Sequence, residues 1–122
     1  MPPKKYISTS ETLDAKSLIA KHKYLMVSKS IGTGSRYVFN IFRRYKIIDK
    51  LYIIQLDQFE DTKKAKELED EFNEIMGGNW LPQLYFNHRR WGTENKFLLW
   101  EDIIESMLED AGLFDDDDDY DE

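Results

Sequence analysis

The stretch Ser28-Lys29-Ser30-Ile31-Gly32-Thr33-Gly34-Ser35 brings hydroxyls, a cation and two glycines to the start of an amphipathic segment. At a strand-to-helix junction such residues have two uses, because the first helical N–H groups and the positive dipole end hold an anion or activate a nucleophile. Thr33 and Ser35 are the hydroxyl candidates for nucleophilic attack. A hydroxyl there needs a general base to ionise at neutral pH, and the topology puts neither His22 nor His88 beside it. Thiol chemistry is excluded outright, since the 122 residues contain no cysteine. A disulfide framework is excluded with it.

Other chemistries find less support. Gly32-x-Gly34 ahead of a helix, with Asp57 at the end of the next strand, has the outline of a dinucleotide site. Tyr37 stands where its third glycine belongs, and the chain has no room for a second mononucleotide half. Arg36, Arg43, Arg44 and Lys46, with Tyr37 and Tyr45 among them, read as a solvated basic face. No nucleic-acid partner is expected from a domain without excess positive charge. The two histidines stand apart from one another and from any carboxylate at ligand spacing, so no metal is expected. Glu67, Glu69, Asp70, Glu71 and Glu74 form a solvated helix face behind Lys63, Lys64 and Lys66.

The formal net charge of −7 has a single source. Removing the seven acids of Asp115–Glu122 leaves 17 acids against 17 Lys plus Arg. Such a like-charge block repels itself, so a disordered acidic tail over residues 114–122 is expected, with Tyr120 as a candidate modification site. It reads as a solubilising end or as a contact for a basic partner. Hydrophobic residues at 41% and aromatics at 14% suffice for one packed domain, assigned to residues 11–113 after an extension over 1–10. No apolar run approaches the ~18 residues that span a bilayer, and the first residues are not a secretory signal. A cytoplasmic protein with access to the nucleus is expected.

These segments need elements to position them. Ser8 or Ser10 caps a first helix running to about Lys21, with Leu13, Leu18 and Ile19 apolar. Tyr24–Val27 is a short strand buried on both faces. Val38, Ile41, Phe42 and Tyr45 mark a helix by their spacing, and Leu51–Asp57 a second strand. Asp61 caps a helix whose stripe is Ala65, Leu68, Phe72, Ile75 and Met76, and Gly77-Gly78 ends it. Leu84–Phe86 and Arg89–Trp91 flank a turn at Asn87-His88 as a hairpin. A last helix carries Leu99, Ile103, Met107 and Leu108 and closes near Gly112. Strands joined through a helix run parallel, whereas the hairpin is antiparallel. The prediction is an α/β, thioredoxin-like fold with a four-stranded mixed sheet flanked by helices.

Three segments carry a family resemblance. Leu18-Ile19-Ala20 with Tyr24-Leu25-Met26-Val27-Ser28-Lys29-Ser30 resembles the first helix of glutaredoxins and the strand leading to their active loop. Trp80-Leu81-Pro82-Gln83-Leu84-Tyr85-Phe86-Asn87 is similar to the family's Thr-Val-Pro segment and the strand after it. Arg90-Trp91-Gly92-Thr93 falls where the family has a glycine pair. The similarity extends over about residues 12 to 112. In the family a Cys-Pro-Tyr-Cys or Cys-Gly-Phe-Ser loop supplies a low-pKa thiolate that attacks a mixed disulfide. Gly32-Thr33-Gly34-Ser35 occupies that place here, so the nucleophile's position is a glycine. The resemblance therefore implies a protein that is not an oxidoreductase and holds no iron–sulfur cluster through the usual cysteine.

What the resemblance leaves is a groove. It implies that Lys29 attracts the glycyl carboxylate of glutathione and that Leu81 bonds a peptide backbone, next to a cis Pro82. Gly92 and Thr93 would offer backbone donors. Asn95, with Glu94 beside it, replaces the acidic residue that grips the γ-glutamyl end, and Trp80 stands where a small threonine is usual. The expected function is a redox-inactive, protein-binding adaptor without a cofactor, with Trp80, Trp91, Arg89 and Arg90 as its candidate interface. The alternative is a non-catalytic protein that binds glutathione or a peptide in the residual groove.

Overall fold

The computed structural model describes residues 14–29 and 33–114. Helix α1 (Ala15–Lys21) starts at Asp14, whose Oδ1 accepts the Ser17 N–H at 2.8 Å. Asp14 therefore caps the helix, and the expected caps Ser8 and Ser10 lie outside the described residues. That hydrogen bond to the ionised form holds the Asp14 carboxyl below its ordinary value. Strand β1 (Tyr24–Ser28) follows and is buried throughout, as an apolar run between two helical layers requires. Helix α2 (Thr33–Arg44) crosses to β2 (Tyr52–Gln55), which pairs parallel with β1 in the register Leu25↔Tyr52 and Val27↔Ile54.

Helix α3 (Thr62–Met76) is capped by Asp61, which accepts the Lys64 N–H at 3.1 Å. Gly77 ends it at φ 90°, a conformation that costs a glycine nothing and a side-chain-bearing residue strain. Strand β3 (Gln83–Phe86) runs antiparallel to β1, and β4 (Arg89–Thr93) runs antiparallel to β3. Asn87 and His88 join them with φ 57° and 70°, the left-handed pair that matches the twist of a two-residue hairpin. The sheet order is β2-β1-β3-β4, a four-stranded mixed sheet of thioredoxin type, as expected.

Side-chain alternation along the strands divides the interior into two cores. Met26, Ile53, Leu84 and Phe86 face α2 and the C-terminal helices. Leu25, Val27, Ile54 and Tyr85 face α1 and α3. The α3 stripe behaves as its spacing demands, with Ala65, Leu68 and Phe72 buried and Ile75 and Met76 packed at the margin.

The C-terminal segment differs from expectation. It is not one helix but α4 (Glu94–Leu99), a 3-10 turn at Glu101–Ile103, and α5 (Ile104–Asp110). Trp100 and Ile103 leave helical geometry, with ψ 35° and 28°, and each break resets the phase of the apolar face. Phe97, Ile104 and Leu108 consequently enter the core, whereas Leu99 and Ile103 turn to solvent. Among the described residues, no helix is long and apolar enough to cross a membrane.

Candidate functional site

The site begins where β1 ends. Ser28 is buried, with its Oγ 3.5 Å from the Ile54 carbonyl, and Lys29 follows it. Lys29 Nζ lies 3.5 Å from Glu69 Oε2 of α3, so its charge already has a carboxylate partner within the chain. Gly32 lies outside the described residues, and Thr33 opens α2. Ser35 is 2% exposed, which removes its hydroxyl from any substrate. The histidines sit at the other end of the sheet. His22 precedes β1 and stacks on Tyr52 at 3.6 Å, while His88 occupies the hairpin turn with Nδ1 3.0 Å from the Ile19 carbonyl. Neither serves Ser35, as the topology required.

Gly34 shows what has taken the vacant space. A Cβ built there would overlap Glu94 Oε1 and stand 3.0 Å from its carboxyl carbon and 3.2 Å from Pro82 Cδ. The Glu94 carboxylate thus rests on the first turn of α2, against Pro82. No acidic residue lies in that helix's own first turn, so the carboxylate facing its positive end comes from α4. Thr93 aims Glu94 by capping α4, its Oγ1 accepting the Asn95 N–H at 3.4 Å. Asn95 points outward. The Leu81–Pro82 bond is cis, as the resemblance implied.

A buried polar network supports the Pro82 loop. Tyr85 Oη lies 2.7 Å from Gln83 Oε1 and 3.2 Å from the Phe72 carbonyl, and Gln83 Nε2 donates to Asn73 Oδ1 at 2.8 Å. Burial pushes the Tyr85 hydroxyl far above its ordinary pKa, so it stays a donor at any physiological pH. This network ties the residue after Pro82 to the end of α3. Replacing Gln83 by methionine keeps the volume but leaves buried polar atoms unmatched, at a cost of about 1–3 kcal/mol. Urea unfolding checks the cost, and chemical shifts of residues 80–84 check the loosened loop.

Beside Pro82 lies an open cleft of about 310 Å³ lined by Met76, Trp80, Gly92, Thr93, Asn95, Lys96, Leu99 and Trp100. Three of its walls are apolar and accessible: Trp80 is 52%, Leu99 78% and Trp100 53% exposed. Of the expected interface residues only Trp80 is here. Trp91 occupies the register shift between β3 and β4 and turns inward onto Phe86 and Phe97, with ring centroids 4.8 Å and 5.1 Å away. Lys96 covers it, with Nζ 4.2 Å from the ring centroid and 3.0 Å from the Trp91 carbonyl, and desolvation lowers the pKa of this ammonium group. Arg89 and Arg90 line a different cleft, with Lys16, Ile19, Ala20, Ile75 and His88. Arg90 Nη1 also donates to the Met76 carbonyl at 3.3 Å, at the negative end of α3.

The sequence reading missed Gln83, Leu99 and Trp100 and gave Glu94 no role. The consecutive apolar residues Leu98-Leu99-Trp100 were the available signal, since a surface helix seldom carries three in a row unless one face is used. Among the described residues no cluster of His, Cys, Asp or Glu can hold a metal ion.

No protein-family model matches the chain. It is 25% identical over 101 residues to glutaredoxin-8 of Saccharomyces cerevisiae, covering 81% of this chain and 92% of that protein. A yeast dithiol glutaredoxin superposes with a TM-score of 0.70 at 24% identity, covering 82% of this chain and 93% of the other. The holo form of poplar glutaredoxin C1 gives 0.64 at 17% identity, covering 80% and 93% of the two chains. A buckwheat glutaredoxin–glutathione complex gives 0.64 at 16%, covering 81% and 87%. The chain is thus similar in sequence to a glutaredoxin and shares the thioredoxin-like fold of the glutaredoxins it superposes on, and it carries no cysteine.

Proposed function

We propose that this protein is a redox-inactive, glutaredoxin-like adaptor that binds a protein partner through the cleft beside Pro82. The observation that carries the reading is the Glu94 carboxylate on Gly34 and Pro82, in a chain without a thiol. An anionic side chain there lies at the helix N-terminus that, in the family, faces a thiolate and an anionic ligand. Lys29, the expected cation for a ligand carboxylate, is engaged by Glu69. What remains accessible is the apolar wall of Trp80, Leu99 and Trp100, and tryptophan is among the residues enriched at the anchor points of protein interfaces. The setting we propose is the cytoplasm, with access to the nucleus.

The test is retention of partners on the immobilised chain and on a Trp80→Ala, Trp100→Ala variant. A partner held by the first and lost by the second is expected, since each interface anchor contributes about 2 kcal/mol or more. Equal retention would overturn the assignment of the cleft.

A second reading, residual binding of glutathione or a peptide, is favoured by the cleft that Trp80, Gly92, Thr93 and Asn95 line together. A buckwheat relative in fold is a glutathione complex. Under the first reading, calorimetric titration with reduced glutathione yields no heat above dilution.

A further inference from the structure

The face of α2 that points away from the core is basic, and among the described residues no ion pair engages its cations. From Thr33 to Ile48 the sequence has four cations and no acid. Arg36, Asn40, Arg43 and Arg44 fall within about a third of the helix circumference at 100° per residue, and Lys46 closes the turn after it. The ion pairs found among the described residues involve Lys29 and Lys66, not these groups. Instead, two of the arginines lie over aromatic rings, Arg43 at 5.6 Å from Phe39 and Arg44 at 5.9 Å from Tyr45. Arg43 also reaches Asn40 Oδ1 at 3.5 Å.

Tyr45 connects this face to the chain's acidic end. Its ring meets Phe114 edge-on at 5.9 Å, and Leu113 beside it is fully buried. The last described residue is thereby anchored at the basic end of α2, and the seven acids of Asp115–Glu122 depart from that point. Eight residues reach at most about 27 Å, while α2, with 12 residues, is about 18 Å long. The segment can therefore cover the whole face as far as Arg36. The helix dipole opposes an acid at this end, but its roughly half a charge is small against four cations. Tethering raises the local concentration of the acids to the millimolar range, so a weak attraction populates the docked form.

We propose that Asp115–Glu122 folds back along α2 as an intramolecular strap, held by Arg36, Arg43, Arg44 and Lys46. The strap shields this basic face from polyanionic partners. It is independent of the cleft beside Pro82, and either proposal can fail without the other.

The absence of cysteine makes the test clean, because Tyr120→Cys places a single nitroxide label on the full-length chain. Amide signals are compared with the label oxidised and reduced. At about 10 mM salt, where the Debye length is about 30 Å, selective loss of intensity is expected for the amides of residues 36–48. The loss should vanish at about 1 M salt, where that length is ~3 Å. It should also vanish in an Arg43→Glu, Arg44→Glu, Lys46→Glu variant, and in a chain with Asp115–Asp119 changed to asparagine. Broadening centred elsewhere would overturn the strap, including on Lys63–Lys66 of α3. So would broadening seen only between labelled and unlabelled molecules, which would make the contact one between copies.

Discussion

Replacing Glu94 by glutamine is expected to tighten binding of reduced glutathione by roughly tenfold or more, and replacement by alanine to tighten it further. Two like charges about 5 Å apart repel by about 3 kcal/mol at an effective dielectric constant of 20, and partial exposure reduces this. Glutamine removes the charge and keeps the shape. Alanine also clears the volume over Gly34 and beside Pro82 that the carboxylate now fills. The same geometry makes Gly34→Ala informative, because its Cβ would have to push Glu94 aside. Titration followed by chemical shifts near Lys29, Leu81 and Thr93 measures the effect. Unchanged, negligible affinity in both Glu94 variants would mean that Glu94 is not what closes the groove.

Truncation of Phe42 to alanine is expected to cost about 3–5 kcal/mol of folding stability. Phe42 is fully buried on α2 and meets Phe86 and Phe97 edge-on, each at 6.2 Å. It therefore joins the sheet, the helix that begins at the candidate site, and α4, which carries Glu94. Each aromatic pair adds about 0.5–1.5 kcal/mol to the burial term, and a domain of this size has only about 5–15 kcal/mol in total. The variant should sit near its unfolding transition at 37 °C. Guanidinium unfolding with an unchanged slope and a lower midpoint checks the loss. Leu99→Ala, on an equally apolar but exposed residue, should stay within about 0.5 kcal/mol of the parent.

The contrast between those two residues shows where the sequence was legible. Helix α3 could be read completely, because Asp61, a single unbroken stripe and Gly77 agree on one element. The hairpin was legible from Asn87-His88, since few residues other than glycine tolerate its left-handed turn. The C-terminal segment was not. A helical period fits Leu99, Ile103, Met107 and Leu108, but the breaks at Trp100 and Ile103 are backbone choices without a glycine or proline to announce them.

The candidate site divides in the same way. Of the groove residues implied by resemblance, Gly92, Thr93 and Asn95 line one cleft, whereas Pro82 lies against Gly34 and Lys29 pairs with Glu69. Which of the neighbours Glu94 and Asn95 turns towards α2 is decided by the Thr93 cap, a three-dimensional fact with no counterpart in spacing. Gln83 was hidden for a similar reason. A polar residue at the start of an apolar strand looks like an edge, whereas here it is buried and bonded to Asn73 and Tyr85. Trp91 went the other way, because the register shift turns inward a side chain that strict alternation leaves open to either face.

Reduction of a glutathione mixed disulfide by the purified chain, beside a dithiol glutaredoxin as reference, tests the central claim most directly. A rate indistinguishable from the protein-free background is the result expected of a chain without a thiol, in which Ser35 is buried and the Glu94 carboxylate rests on Gly34. Turnover above that background, reproducible across preparations and diminished by Ser35→Ala or Thr33→Ala, would contradict it.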